Sequence, residues 1–408
     1  MSLLNPRIGT TPFRITLIVL AGLLTALAVL IPAQSEAKKK KKPAKVTVMT
    51  RNLYLGADLG PAIDAGSLGE AIDAGGQILN DVDASNFPAR ATLLADEIAA
   101  AKPDLLGLQE VALWRTQTPS DYTTSEATDV KYDFLKLLQG ELKARGANYK
   151  VAAIQDEFDQ ELPADTDGNN NTSNASGPFA ASVLEPEGAD VDGRLTMRDA
   201  ILVRKGSKVK VSEPDSGVFE NRYEVSLGGV VPIDVERGWE SVEAKVKKTK
   251  KTKAASFRFV NTHLEAFGDP AIREAQAREL FAADGPLDTD KQLVFLGDIN
   301  SGGPKDKVGT GFTTPGDEGA YNALTQDYGM FNLGARQTCC YPDVFANVIK
   351  KYRFDHTVDH VMVKPKIKQT NAYVTGDDPD VNTTNKKLVA SDHGGLVSTL
   401  KFTGGKKK

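Results

Sequence analysis

The stretch VFLGDINSG, from Val294 to Gly302, is an apolar run that ends in an acid and an amide two residues apart. Its first half reads as a buried strand, and Ser-Gly-Gly then breaks the run. Alternation along a strand puts residues i and i+2 on one side. Asp298 and Asn300 would therefore face a single point at the lip of the strand. The chemistry at that point decides what the chain does.

Working outward, the same style recurs. KVTVMTRNL (Lys45–Leu53) is rich in β-branched residues and strand-like. PDLLGLQE (Pro103–Glu110) is a short apolar strand that also ends in an acid. Further strands are expected at Tyr149–Gln155, Arg198–Gly206, Glu240–Val246, Phe257–Leu264, Thr357–Val363 and Gly395–Phe402. Helical spacing falls at Pro88–Ala101, Tyr132–Gly146 and Asp269–Ala283, with proline near the start of the first and last. The lysine-rich Lys247–Lys253 reads as an exposed turn between two strands. No internal repeat and no linker interrupts residues 46–402. Strands with interposed helices over that length predict one layered α/β domain.

The bulk numbers agree with a globular chain. It has 408 residues, 40% hydrophobic and 25% charged. At the N-terminus, Arg7 and Arg14 precede the apolar run Ile15–Ile31, and Pro32 and small residues follow. This is the layout of a secretory signal peptide over residues 1–37. The competing reading is an uncleaved membrane anchor, for which the run is near the lower length limit. A secreted or otherwise extracytoplasmic protein is expected, membrane-anchored if the signal stays. A Lys-rich linker (residues 38–45) and a basic tail (406–408) flank the expected catalytic domain at 46–405. Without Arg7, Arg14, the six lysines of 38–45, Lys406–Lys408 and Glu36, 39 basic residues face 53 acidic ones, a net charge of −14. So acidic a body argues against a broad embrace of a polyanion. Cys339 and Cys340 are adjacent and are the chain's 2 cysteines. Export would allow a vicinal disulfide, and zinc would need more thiols or histidines nearby. The polar stretch Asp159–Pro178 resembles a calcium loop only loosely, because the glycine after Asp165, Asp167 and Asn169 is out of register. A lid or surface loop is the expectation there.

The chain has 4 histidines: His263, His356, His360 and His393. No nucleophile elbow, P-loop or dinucleotide-binding glycine pattern appears. What remains is a set of acids, amides and histidines: Asn52, Glu110, His263, Asp298, Asn300, Asp359, Asp392 and His393. Oxygen donors without thiolates suit a hard cation, Mg²⁺ or Mn²⁺. Histidines and amides added to such a cation suit a phosphate ester. His360 alternates with Asp359 and so points away from it, as a structural residue, and His356 reads as a loop residue.

In order, TRNL, LLGLQE, NTHL, GDIN, VDHV and SDHGG resemble the motif series of the endonuclease/exonuclease/phosphatase superfamily. That family includes deoxyribonuclease I, exonuclease III-type repair enzymes, bacterial sphingomyelinases and inositol polyphosphate 5-phosphatases. Each motif alone is weak, and six in order, each ending a strand, are strong. The resemblance spans about Val46 to Phe402. It implies a four-layer α/β sandwich, two mixed β-sheets flanked by helices, with the site on loops at one edge. It also implies roles. Glu110 would be the principal metal ligand, with Asn52 assisting and Asp392 beside the metal. Asp298 would orient or deprotonate the attacking water, and Asn300 would hold that water or a phosphate oxygen. His263 would stabilise phosphoryl oxygens. His393 would stabilise the transition state or protonate the leaving oxygen, its tautomer fixed by Asp359. Arg198 stands where relatives place a phosphate-contacting residue. His360 departs from the aromatic often found after the fifth motif's aspartate.

The expected function is therefore a Mg²⁺-dependent phosphodiesterase, acting as a monomer on nucleic acid or a phospholipid head group. The acidic body weakens the first substrate, which still ranks slightly ahead of the second; a third, an inositol phosphate monoester, would want clustered Lys/Arg near the site, and none is seen. The second would want an exposed apolar loop, for which Asp327–Gly334 and Trp114 are candidates. Two other classes compete: a non-catalytic surface protein holding anionic envelope polymers through its lysine tails, and a thiol redox protein using Cys339 and Cys340.

Overall fold

In a computed structural model of the chain, residues 41–403 are described apart from 123–125, 169–187, 230, 303–316, 334, 346–348, 350–351, 366, 381–382 and 385–386. The expected signal peptide, the first lysines of the linker, Asn169 of the calcium-like loop and Lys406–Lys408 lie outside the described residues. Among the described residues no helix is long and apolar enough to cross a membrane.

The apolar run that opens the sequence reading is buried on both faces. Val294 and Leu296 point one way and Leu293 and Phe295 the other, and all four are at most 1% exposed. A strand of that kind needs a layer on either side, and both layers are present. Numbering strands in chain order, one eight-stranded sheet runs β15 (Lys368–Thr375), β16 (Gly395–Phe402), β1 (Ala44–Asn52), β2 (Leu105–Gln109), β6 (Val191–Arg204), β3 (Leu113–Gln117), β4 (Asp129–Asp133), with β5 (Tyr149–Ala164) also paired to β6. A six-stranded sheet runs β13 (Phe331–Asn332), β14 (Asp359–Lys364), β12 (Leu293–Asp298), β11 (Ala255–His263), β10 (Gly238–Val246), β7 (Val209–Val218). A separate hairpin pairs β8 (Tyr223–Leu227) with β9 (Val231–Val235). Both large sheets are mixed: β1 and β2 are parallel, as are β11 and β12, among antiparallel neighbours.

Strand alternation then divides the core. Val46, Val48, Ile201 and Leu400 of the first sheet meet Phe257, Phe259, Val294 and Leu296 of the second. The far face of the first sheet, with Met49, Leu106, Leu108 and Val397, packs on α2 (Leu68–Ser85), α3 (Phe87–Ala101) and α4 (Phe134–Ala144). The far face of the second, with Val260, Phe295 and Met362, packs on α5 (Pro270–Glu279) and α6 (Gly319–Asn322). A short α1 (Gly60–Ile63) precedes α2. This is the four-layer sandwich that the resemblance implies. The unit Lys41–Lys408 carries both sheets, their helices and the whole described core. The sheets are close at Gly107, where a Cβ would lie 2.2 Å from Leu296 Cδ1 and 2.3 Å from Asn261 Oδ1.

Helix ends follow local chemistry. Asn86 accepts from Ala89 N–H ahead of α3, Asp133 from Lys136 N–H ahead of α4, and Asp269 from Ala271 N–H ahead of α5. Helix α5 stops at Glu279, short of the expected Ala283, because the chain closes there into turns ending at Gly285. Strand β5 runs to Ala164, past the expected Gln155 and into the presumed loop, because β6 supplies a partner as far as Val191. Lys247–Lys253 lies between β10 and β11, which pair antiparallel with Val246 opposite Ala255.

Candidate active site

The edge at which β1, β2, β11 and β12 end and β14 and β16 begin gathers the motif residues. Register does most of the work. His263 is aligned with Asp298 across β11 and β12, and Asp298 with Asp359 across β12 and β14. Asn52 closes β1 and Glu110 follows β2 immediately. His393 lies two residues before β16.

Asp298 sits at the centre. Its Oδ2 accepts from Asn52 Nδ2 at 3.2 Å and lies 3.6 Å from His393 Nδ1 and 3.8 Å from His263 Nε2. Its Oδ1 accepts from Asn300 N–H at 3.0 Å. Asn52 donates also to Glu110 Oε1 at 2.8 Å, and its side-chain Oδ1 accepts from Tyr54 N–H. It thus ties the two carboxylates together. Glu110 Oε2 accepts from Leu55 N–H at 2.6 Å. Glu110 and Asn300 hold left-handed backbone, with φ of 54° and 47°. Such a turn is uncommon outside glycine and is retained where surrounding contacts enforce it. Asn300 does reach the site, but through this turn and not through strand alternation. Its amide donates to Leu264 O at 2.9 Å and touches His263 Nε2 at 3.2 Å.

The two histidines carry opposite charge states. His393 Nδ1 donates to Asp359 Oδ2 at 2.9 Å. Burial acts to lower its pKa, but Asp359, Asp298 and Asp392 outweigh burial, and it stands well above the ordinary histidine value. His263 is lowered to about 3, by burial first and then by the guanidinium of Arg237. Arg237 Nη1, a donor, lies 3.2 Å from His263 Nδ1, and the Asn300 amide nitrogen, also a donor, lies 3.2 Å from its Nε2. His393 is thus an imidazolium at neutral pH and His263 a neutral imidazole.

Glu110 is raised by burial and then by Asp392, and Asp392 is raised mainly by burial. Two carboxylates that resist ionisation together are what a cation would relieve. Asp359 Oδ1 is also buried without a partner. Among the described residues, Asp298, Asp359 and His393 bring ligand atoms within 4.8 Å of one another, as do Cys339, Cys340 and His393. In the first group His393 Nδ1 is committed to the proton that Asp359 accepts. In the second the sulfurs are bonded to each other. Glu110 and Asp392 carry carboxylate oxygens, the donor type that a hard divalent cation takes.

Arg198 is not brought to this cluster. Its guanidinium is held by Val111 O at 2.9 Å and Asp133 Oδ1 at 2.8 Å. His360 points away as expected, with Nε2 against Ser301 O. Trp114 is 3% exposed and donates to Leu55 O, so it belongs to the core. In Asp327–Gly334, Met330 and Leu333 are buried and Phe331 is exposed.

Several supports escape a reading of the motifs. Arg90, on the apolar face of α3, donates to Ser85 O, Leu53 O, Tyr54 O and Ala390 O, which ties the Asn52 turn to the loop before His393. Arg51 reaches His393 O and pairs with Glu97. Ser391 Oγ donates to Asn52 O and accepts from His393 N–H. Arg51 and Ser391 lie inside the quoted motifs. Arg90 and Arg237 have no local signal.

A sequence profile of the endonuclease/exonuclease/phosphatase family matches residues 72–393, and the chain belongs to that family. It is a hydrolase of this group, whose members act on phosphate esters and typically use a divalent metal. Among solved structures it is similar to the family member of Bacteroides vulgatus, with 16% identity, a TM-score of 0.46 and coverage of 88% of this chain and 99% of that one. It is similar also to a mannosyl-6-phosphatase of Bacteroides thetaiotaomicron VPI-5482, with 14% identity, a TM-score of 0.44 and coverage of 88% and 100%. Truncated TDP2 of Caenorhabditis elegans gives 16% identity, a TM-score of 0.41 and coverage of 88% and 97%. No curated protein matches.

Proposed function

We propose that the protein is an exported, divalent-metal-dependent phosphodiesterase that hydrolyses its ester by in-line attack of water. One observation carries the reading: a single oxygen, Asp298 Oδ2, faces Asn52, His393 and His263 at 3.2, 3.6 and 3.8 Å. Asp298 orients the water and takes its proton, with Asn52 and the Asn300 amide N–H holding the carboxylate in place. His263 is neutral, and it and the Asn300 amide beside its Nε2 face a phosphoryl oxygen. His393, kept protonated by Asp359, delivers a proton through Nε2 to the leaving oxygen. A Mg²⁺ or Mn²⁺ ion held by Glu110 and Asp392, with Asn52 beside it, would neutralise charge on the phosphoryl oxygens.

The substrate classes are nucleic acid and phospholipid head groups, and the −14 body charge favours the less polyanionic of the two. The lysine tails add attraction to an anionic envelope surface, and the protein acts as a monomer.

The test compares bis-p-nitrophenyl phosphate with p-nitrophenyl phosphate, in Mg²⁺ or EDTA, for the wild type and Asp298→Ala. Diester cleavage should need the metal and fall about 10²- to 10⁴-fold in the variant. Turnover of neither ester under any divalent metal, or full activity in Asp298→Ala, overturns the reading.

A further inference from the structure

Beside the catalytic edge lies an apolar cavity of about 90 Å³ that opens toward solvent. Its walls come from α2 (Ile78), β3 (Trp114), β6 (Met197) and the β8–β9 hairpin (Leu227). Among the described residues, Gln160 and Arg237 bring the only polar side chains to a lining that is otherwise apolar or glycine.

The cavity is joined to the catalytic cluster at three places. Arg237 lines it and also holds His263 Nδ1 at 3.2 Å. Phe267 lines it from the loop that follows His263. Trp114 lines it and donates to Leu55 O at 2.9 Å, while the N–H of the same Leu55 binds Glu110 at 2.6 Å. Arg237 is 5% exposed, and its Nε has no hydrogen-bond partner. Arg237 pairs with Glu265 at 3.6 Å, and its remaining Nε donor stands where an apolar chamber meets a site for phosphate esters. An amphiphile matches that order: an anionic phosphate at the histidines and Arg237, and a hydrocarbon chain beyond.

We infer that the substrate is a phosphate ester carrying an apolar chain, which this cavity takes up. The inference rests on the phosphodiesterase reading and narrows its substrate. The chain supplies binding free energy in proportion to the apolar surface it removes from water. It also fixes the phosphorus against Asp298, which a short ester cannot do.

The experiment follows release of p-nitrophenol from methyl, butyl and octyl p-nitrophenyl phosphate with Mg²⁺. In each ester water attacks phosphorus and p-nitrophenolate leaves, so only the chain differs. kcat/KM should rise about 3- to 4-fold per methylene until the chamber is filled. Val225→Trp, on the hairpin side of the cavity, should flatten the series and leave the methyl ester unchanged. A wild-type series that is flat, or equally steep in Val225→Trp, overturns the inference while methyl ester turnover keeps the phosphodiesterase reading intact. If no ester is cleaved, that reading fails by itself, and calorimetric binding of octyl phosphate below its micelle concentration decides the cavity. Binding that Val225→Trp abolishes supports it, and no binding refutes it.

Discussion

Replacing Asp359 by asparagine keeps shape and removes one charge. Asp359 is 0% exposed, and its Oδ2 accepts from His393 Nδ1 at 2.9 Å. A hydrogen bond between charged partners contributes about 1.5–3 kcal/mol. At about 1.4 kcal/mol per pKa unit, the His393 pKa should fall by about one to two units in Asp359→Asn. Burial, which acts to lower it, would then oppose only Asp298 and Asp392. With the proton on His393 less strongly held and its ring no longer paired with a charge, kcat should fall, by up to the 10²- to 10⁴-fold that a general acid contributes. The alkaline limb of the pH–rate profile should move to lower pH by the same one to two units. Stability has a matching sign. The folded pKa of His393 lies above its ordinary 6.5, so its contribution is complete below pH 6.5 and is lost as pH rises through the folded value. The assay is an NMR titration of the ring, simplified because the chain has 4 histidines, run with and without Mg²⁺. A wild-type His393 that titrates below 6.5 without metal, or a pKa unmoved by the substitution, would refute the reasoning.

The other histidine gives a prediction of opposite sign. His263 falls from 6.5 to about 3 in the folded protein, so stability drops as pH falls below 6.5, approaching about 1.4 kcal/mol per unit until the folded value is reached. Urea midpoints from pH 6.5 to 4.5 should decline less steeply in His263→Gln than in the wild type, and equal slopes would count against a neutral buried ring. Gly107→Ala drives a methyl into Leu296 and Asn261, and overpacking of this kind costs about 1–3 kcal/mol. An unchanged denaturation midpoint would mean that the sheets are not as close as described.

Much of this was legible in the sequence because strand ends announce themselves. An apolar run that stops at an acid or a histidine marks both an element and its lip, as LLGLQE and NTHL do. The quoted motifs therefore held every catalytic and metal candidate, and only Arg198, the candidate phosphate contact, lay outside them. Other elements were hidden. β7, VKVSEPDSGV, is an edge strand with mostly exposed side chains, so it carries little hydrophobic pattern. The second half of β5 reads as a polar loop, and only its long pairing with β6 makes it a strand.

The sequence by itself determined the layered α/β class, the order of the motifs and the type of donor atoms, because these depend on local periodicity and side-chain chemistry. Tertiary structure decided the charge states. Whether a histidine is an imidazolium beside Asp359 or a neutral ring beside Arg237 depends on which charges folding brings within about 3 Å, at separations of 34 and 26 residues along the chain. It also decided that Arg198 is occupied by Asp133, that Arg90 clamps two catalytic loops, and that an apolar chamber opens beside the site. Each of these is a contact between distant segments, and no local pattern encodes it.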